Sequence, residues 1–383
     1  MQLNVIFSAT TVLALSLVSV AESAPCPERE HEFAVDIGIF KSWERNLVPG
    51  SRLPLQEQDV RYLRVRIEPL VDDAHDWTVR IRDGQGRPLQ SIHSSHADGK
   101  AFWTDRYYTN KVELFVEHER DAPPAKTVFY QAVGMGADTP FYSIKDSNGQ
   151  PDWSDVYDPT DGAGGPVEEF WKRRSEPVGM FVVSAGNNLD GVAVWSCTGI
   201  LVSVEPELLF LTNDHCGGAG ESRWAHDICE GNGFVDFSWD GDSTSRQYPC
   251  ASMVHRSSED DLALLRLGKI TNDAPPTPAV FASNSSIGDN LTIVHHPALQ
   301  TKKISRGCTK RKLSGQDAGR LFAHTCDTEA GSSGAPAFND AGEVVGIHHT
   351  GHETFDDTCD GLNKAAGLSS VREFLVEAGI SLD

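Results

Sequence analysis

From about residue 178 onward the chain is a succession of short apolar runs divided by Gly-rich turns: Phe181–Val183, Gly199–Val202, Leu208–Thr212, Phe234–Phe237, Leu262–Leu267, Leu291–Val294 and Val344–Ile347. Runs this short cannot build long core helices, and strands recurring at such spacing close into a barrel or stack as a sandwich. Only the end reads as helix. Ser370-Val371-Arg372-Glu373 has capping-box spacing, and Val371, Phe374, Leu375 and Ala378 share one face. An earlier stretch, residues 27–145, is also β-type. Leu63, Val65 and Ile67 alternate with Arg64 and Arg66; Trp77, Val79 and Ile81 alternate with Thr78, Arg80 and Arg82; Val112, Leu114 and Val116 repeat the pattern. Period-two alternation buries one face of a strand and wets the other. With turn chemistry at Asp83-Gly84-Gln85-Gly86, this predicts a small antiparallel sandwich. The expected fold is therefore all-β: a sandwich-like domain, then a larger β unit over 178–383.

Between them, residues 146–177 read as a linker. Asp146-Ser147-Asn148-Gly149 and the Gly/Pro/Asp-rich run from Asp158 to Pro166 cannot hold a core. The basic run Lys172-Arg173-Arg174 is either a solvated charge cluster or a proteolytic processing site. At the N-terminus, Val5 to Ala21 is apolar or small, and Ala21, Ser23 and Ala24 precede Pro25. Residues 1–24 are read as a secretory signal, although Met1-Gln2-Leu3-Asn4 lacks a basic residue. Export makes disulfides the default state of the eight cysteines. The formal net charge of −22 argues against nucleic-acid or anionic-membrane partners, because phosphates would be repelled. Beyond the first two dozen residues no apolar run reaches membrane-spanning length. The expectation is a secreted or periplasmic monomer, without cofactor or metal.

Three local motifs carry chemistry: Leu211-Thr212-Asn213-Asp214-His215-Cys216, Asp260-Asp261-Leu262-Ala263-Leu264-Leu265 and Gly331-Ser332-Ser333-Gly334-Ala335-Pro336. Each alone is an ordinary turn or strand end. Together, in His–Asp–Ser order on an exported all-β chain, they point to acyl transfer by a serine nucleophile. A serine hydroxyl is a poor nucleophile until a base takes its proton. His215 is the natural base. Asp261, at the start of a buried strand, would fix its tautomer and stabilise the cation that forms. The glycines around Ser333 permit a sharp turn. They leave the N–H groups of Gly331 and Ser333 free to hold an oxyanion, an effect worth roughly 3–4 kcal/mol per donor.

On these residues, 178–383 resembles a trypsin-like (chymotrypsin-fold) serine endopeptidase; the matched pieces are Ser196-Cys197-Thr198-Gly199, Thr212 to Cys216, Asp261 to Leu265 and Gly331 to Pro336. The resemblance implies two antiparallel β-barrels of the chymotrypsin type with a C-terminal helix and the active site in the cleft between them. His215 and Asp261 would come from the first barrel and Ser333 from the second. It supports pairing Cys197 with Cys216 beside the base. Cys308 with Cys326 and Cys229 with Cys250 are plausible further pairs. Cys26 and Cys359 are left over, and if paired they would tether the N-terminal domain. Spacing alone leaves the connectivity open. Two departures stand out. Ser332 occupies the position where animal digestive members carry the Asp that receives the freed N-terminus on activation. Asn213-Asp214 replaces the small pair usual before the catalytic His and sets a carboxylate beside the base.

The stretch from Thr328 to Asn339, followed by Glu343-Val344-Val345-Gly346-Ile347-His348, is similar to the bacterial glutamyl endopeptidase branch. That resemblance implies an acidic side chain read by Thr328 and His348. A hydroxyl and an imidazole both donate hydrogen bonds to a carboxylate. Lysyl endopeptidases form a neighbouring branch with a similar local pattern. Where they need an acidic residue this chain has Asn363-Lys364, with Asp360 close by, and a cation there would favour Glu or Asp substrates. The rival class is a non-catalytic binding protein on the same fold. Residues 27–170 read as an inhibitory pro-region, a folding aid or a lasting accessory module. His295-His296 and His348-His349 are adjacent pairs, so in strands their side chains point to opposite faces and a shared metal site is not expected. Asn284-Ser285-Ser286 and Asn290-Leu291-Thr292 match glycosylation acceptors, a pattern that matters only in a eukaryotic secretory route.

Overall fold

In the computed structural model, the described residues are 40–45, 50, 52–56, 62–67, 77–94, 102–104, 107, 109–118, 128–133, 153–157, 167–185, 193–218, 224, 228–229, 233–239, 246–268, 274–297, 300–313, 320–355 and 361–381. The signal reading at 1–24, Cys26, Cys359 and the Gly-rich run 158–166 lie outside them.

The first strands are β1 (Phe40–Arg45), β2 (Arg52–Gln56), β3 (Tyr62–Ile67), β4 (Trp77–Asp83), β5 (Pro88–His93), β6 (Phe102–Trp103), β7 (Lys111–His118) and β8 (Val128–Val133). They form two four-stranded antiparallel sheets, in the orders β1-β8-β3-β6 and β2-β7-β4-β5. The alternating apolar residues face each other: Leu63, Val65 and Ile67 of one sheet share a core with Val79, Ile81, Val112, Leu114 and Val116 of the other. Period two in the sequence thus becomes a sandwich, because only one side chain in two reaches the interior.

Next come β9 (Trp153–Asp155) and helix α1 (Glu169–Ser175). Both fall inside the span read as a linker, yet Val156, Val167 and Trp171 join a buried core with Ile200, Ile293 and Ile304 from later strands. Lys172, Arg173 and Arg174 form the last turn of α1, where cations suit the helix dipole.

The first barrel consists of β10 (Val178–Ala185), β11 (Ala193–Ser203), β12 (Leu209–Thr212), β13 (Gly233–Asp236), β14 (Gln247–Ser257) and β15 (Leu262–Leu267), closed in the order β10-β11-β12-β15-β14-β13. Phe181, Phe210, Trp224, Phe237 and Tyr248 fill its interior. The second contains β16 (Asn290–His295), β17 (Lys303–Arg311), β18 (Leu321–His324), β19 (Pro336–Phe338), β20 (Val344–Phe355) and β21 (Gly361–Gly367), followed by helix α2 (Leu368–Glu377). Its order is β16-β19-β20-β21-β18-β17, and β16 pairs back onto β17 to close it. β9 is added to β17 at Lys303–Ser305, while β18 pairs with β17 only at Lys310 and Arg311. Ile200, Leu211, Leu262 and Leu264 of the first barrel pack in one cluster with Ile293, Ile304 and Phe338 of the second. The fold is all-β, with two closed antiparallel barrels and a C-terminal helix.

The helix start differs from the capping-box reading. α2 begins at Leu368 after Gly367, with no side-chain cap, and the Ser370 hydroxyl donates instead to the Arg320 carbonyl at 2.9 Å. Helix-internal Ser370 found a tertiary acceptor, which outcompeted local capping.

Candidate active site

β12 and β15 are antiparallel neighbours, with Thr212 opposite Ala263. His215 lies just past the end of β12, in a 3₁₀ turn over His215–Gly217, and Asp261 just before the start of β15. The pairing therefore brings them together. His215 Nδ1 lies 2.7 Å from Asp261 Oδ2, and the His215 backbone N–H donates to Asp261 Oδ1 at 2.9 Å. Asp261 holds the left-handed conformation, φ 54°, which Asp tolerates better than most residues. Its carbonyl is pinned by the Asn213 amide at 2.7 Å and the Asp214 N–H at 3.2 Å. Burial alone would raise the Asp261 carboxyl, but hydrogen bonds from His215 and His349 and the charge of His215 hold it well below the usual carboxylate range.

His349 was not singled out as a site residue by sequence reasoning. Its Nδ1 stands 3.3 Å from the same Asp261 Oδ2, so one carboxylate oxygen serves two imidazoles. The motif offered a signal: His349 follows His348 on a strand and must face away from it. Asp214 resolves differently from its sequence position. Its carboxylate takes a bidentate pair from Arg256, at 2.8 and 2.6 Å, and a bond from the Trp224 indole at 3.2 Å. The acid next in sequence to His215 is thus already engaged by a cation.

Ser333 sits in a tight turn between β18 and β19. Gly331 and Gly334 flank it at φ 93° and 87°. A Cβ on Gly334 would lie 2.0 Å from the Thr198 carbonyl and 2.5 Å from Thr212 Oγ1, so glycine is required by space as well as conformation. Among the described residues the N–H groups of Gly331 and Ser333 make no hydrogen bond, whereas those of Ser332, Gly334 and Ala335 donate to Glu329, His348 and Ser332 carbonyls. Ser333 Oγ donates to the His349 carbonyl at 3.5 Å, a long bond that a shift toward His215 would give up readily.

Thr198 joins the two barrels at this turn. Its N–H donates to the Ser333 carbonyl at 2.7 Å and its hydroxyl to the Gly331 carbonyl at 2.8 Å. Its hydroxyl accepts from the His296 N–H at 2.9 Å, and its carbonyl accepts from the Thr212 hydroxyl at 2.7 Å. One residue thereby fixes the Ser333 turn relative to the strand leading to His215.

Around the turn, Thr328 and His348 are both buried, at 3% exposure each. His348 Nδ1 meets His324 Nε2 at 3.1 Å. Burial, with the histidines around it, pushes His348 well below its ordinary value, so it is neutral. Burial, then His349, likewise pushes His324 down to about 3. His348 pairs with Ala365 and His324 with Asn363. Lys364 lies between those two partners on β21, so alternation puts it on the opposite face from both imidazoles. Lys364 itself pairs with Ala323 of β18 and with Thr350 of β20, across a register shift that follows His348. Asp327, next to Thr328, is a buried carboxylate at 4% exposure that the sequence reading passed over.

Disulfides join Cys197–Cys216, Cys229–Cys250 and Cys308–Cys326. They fit an oxidising compartment. Among the described residues no helix is long and apolar enough to cross a membrane. Cys197, His215 and Cys216 bring three metal-type donors together, but the two sulfurs are spent on a disulfide.

Residues 197–347 match the family model of the trypsin-like peptidase domain. An uncharacterized protein, y4fB of Sinorhizobium fredii, is 38% identical over 71 residues, which is 18% of this chain and 11% of that protein. The chain thus spans about a tenth of the length of this curated relative. Among solved structures, the Rv3671c protease of M. tuberculosis aligns in an inactive serine-to-alanine form with TM-score 0.40 and 19% identity, over 56% of this chain and 92% of that one. Its active form aligns with TM-score 0.39 and 21% identity, over 54% and 83%. Over these residues the chain is similar to a trypsin-like peptidase domain.

Proposed function

We propose that the protein is an exported serine endopeptidase with Ser333 as nucleophile, His215 as general base and Asp261 as its partner. The observation that carries this reading is the double hold of Asp261 on His215, one oxygen on the ring and one on the backbone N–H. A carboxylate held in its charged form keeps the proton on His215 Nδ1 and leaves Nε2 to accept one. In the proposed reaction, Ser333 Oγ attacks the scissile carbonyl carbon and its proton passes to His215 Nε2. The oxyanion is received by the Gly331 and Ser333 N–H groups. Collapse breaks the C–N bond, and His215 returns the proton to the leaving amine. Water, deprotonated by His215, then hydrolyses the acyl-enzyme.

For the side chain before the cut bond, the proposed preference is Glu or Asp, bound by hydrogen bonds from Thr328 and the neutral His348 rather than by a cation. Lys364 faces away and contributes no direct bond. The second reading is a lysyl or other-specificity endopeptidase, likewise acting on protein or peptide substrates. Residues 1–24 are proposed as the export signal, and the sandwich as a pro-region or accessory module.

Incubation of the mature protein with a fluorophosphonate should modify Ser333 alone, and Ser333→Ala should abolish labelling. An unlabelled wild type would favour a non-catalytic binding protein on this fold. In a matched peptide series, faster cleavage after Glu supports the first specificity and faster cleavage after Lys or Arg the second.

A further inference from the structure

β9 precedes the closed barrels in sequence and lies outside the family match, yet it is fastened to the second barrel along its length. Trp153, Ser154 and Asp155 pair with Ser305, Ile304 and Lys303. Asp155 Oδ2 lies 2.6 Å from Lys303 Nζ, with side chains only 10% and 11% exposed, and Thr301 donates to Asp155 Oδ1. The Val156 N–H donates to the Lys302 carbonyl at 3.0 Å. At the start of the strand, buried Trp153 meets the His295 ring edge-on, with centroids 5.2 Å apart and planes at 77°. His295 is fully buried, and its Nδ1 shares a 2.7 Å hydrogen bond with Ser332 Oγ.

Ser332 is the residue before Ser333, and it anchors the turn. Its hydroxyl oxygen accepts from the Glu329 N–H at 3.0 Å, its N–H donates to the Glu329 carbonyl at 2.8 Å, and its carbonyl accepts from the Ala335 N–H at 2.9 Å. The only other group on that hydroxyl, among the described residues, is His295. Burial first, then Lys303 and His324, push His295 down to about 3, so the ring is neutral. A ring held by one hydrogen bond can still swing about it. An indole set against it at a fixed angle removes that freedom.

We infer that Trp153, acting through His295 and Ser332, is a positioning residue for the Ser333 turn, so the segment ahead of the barrels is a working part of the active site. The inference rests on the reading of Ser333 as nucleophile. A displacement of the attacking oxygen of about 1 Å lowers rates by as much as roughly 100-fold, so a modest drift of the turn is measurable.

The test uses the full-length protein and a small fluorophosphonate, recording the limiting rate of Ser333 labelling and the half-saturating concentration. Trp153→Leu should lower the limiting rate roughly tenfold with the half-saturating concentration unchanged, and Trp153→Phe should restore most of it. In a Ser332→Ala background, Trp153→Leu should cause no further loss, because the route through the hydroxyl is already cut. His295→Gln, which keeps a hydrogen-bonding group but removes the ring, replaces Trp153→Leu if that variant does not fold. It should lose a similar amount and be indifferent to Trp153→Phe. Wild-type rates in Trp153→Leu, or a loss fully additive with Ser332→Ala, would overturn the inference. Absence of Ser333 labelling in the wild type would overturn the nucleophile reading itself, and this inference with it.

Discussion

At the scale of single residues, the site turns on how one carboxylate is shared. Asp261 Oδ2 faces both His215 and His349. Removing the second imidazole takes one hydrogen bond from the oxygen that orients the His215 ring, and a hydrogen bond to a charged group is worth about 1.5–3 kcal/mol. His349→Ala should therefore slow Ser333 labelling by roughly tenfold or more while leaving the half-saturating concentration of a small fluorophosphonate near the wild-type value. Unchanged rates would show that His215 alone orients Asp261. The three proposed triad residues were legible because each sits in a local motif with its own turn chemistry. His349 and Thr198 were not assigned roles, because their importance arises from partners more than 80 residues away in sequence. Asp214 was legible only as a neighbour of His215; that Arg256 takes its charge depends on β14 lying beside β15. The face that Lys364 takes on β21 was likewise out of reach of local spacing. Face is set by register, and register across a bulged strand is not written in local spacing.

At the scale of elements, the span 146–177 is the largest revision. Its Gly/Pro/Asp content reads as tether, and that content hides two short elements in or beside which Trp153, Val156, Val167 and Trp171 are buried, although Phe170 of α1 is exposed. Single aromatic or aliphatic residues carry no period, so no pattern announced them. The basic triplet consequently lies in α1, whose Trp171 and Ser175 are buried. A protease must unfold several residues around its target bond, so cleavage at Lys172, Arg173 or Arg174 should be slow in the native state. Limited digestion with a Lys/Arg-specific protease, followed by N-terminal sequencing, should find no prominent new terminus at residues 173–175. A dominant cut there would mean α1 is frayed in solution. Of the barrel strands, β10–β13, β15, β16 and β20 were legible, because continuous apolar runs near glycine leave little else to form, whereas β14, β17, β18, β19 and β21 went unread because polar and charged residues interrupt them or they are very short.

At the scale of the whole molecule, the buried histidines set how it meets acid. His295 and His324 are held neutral with values near 3, against an ordinary 6.5. Between those values the unfolded chain binds protons that the native state refuses. Stability therefore rises with pH across that window and is lost as pH falls through it, by roughly 1.4 kcal/mol per pH unit for each such histidine. Asp261, held low, acts in the same direction below its own unfolded value. The urea midpoint should fall steadily from about pH 7 to about pH 4. His324→Gln should flatten that slope, and a midpoint indifferent to pH would contradict the buried neutral state. Charge, which excluded whole classes of partner, said nothing of this, because the relevant histidines lie inside. A last consequence follows from the way β9 covers Lys303–Ser305 while β18 reaches only Lys310 and Arg311. Were the chain severed just after β9 and the piece released, the barrel would carry a vacant backbone berth about three residues long, with unpaired N–H and C=O groups turned outward. Such a berth accepts any extended strand, including one from a second copy. Any processing of the chain that spared β9 would keep the molecule from offering its own flank as a template for self-association.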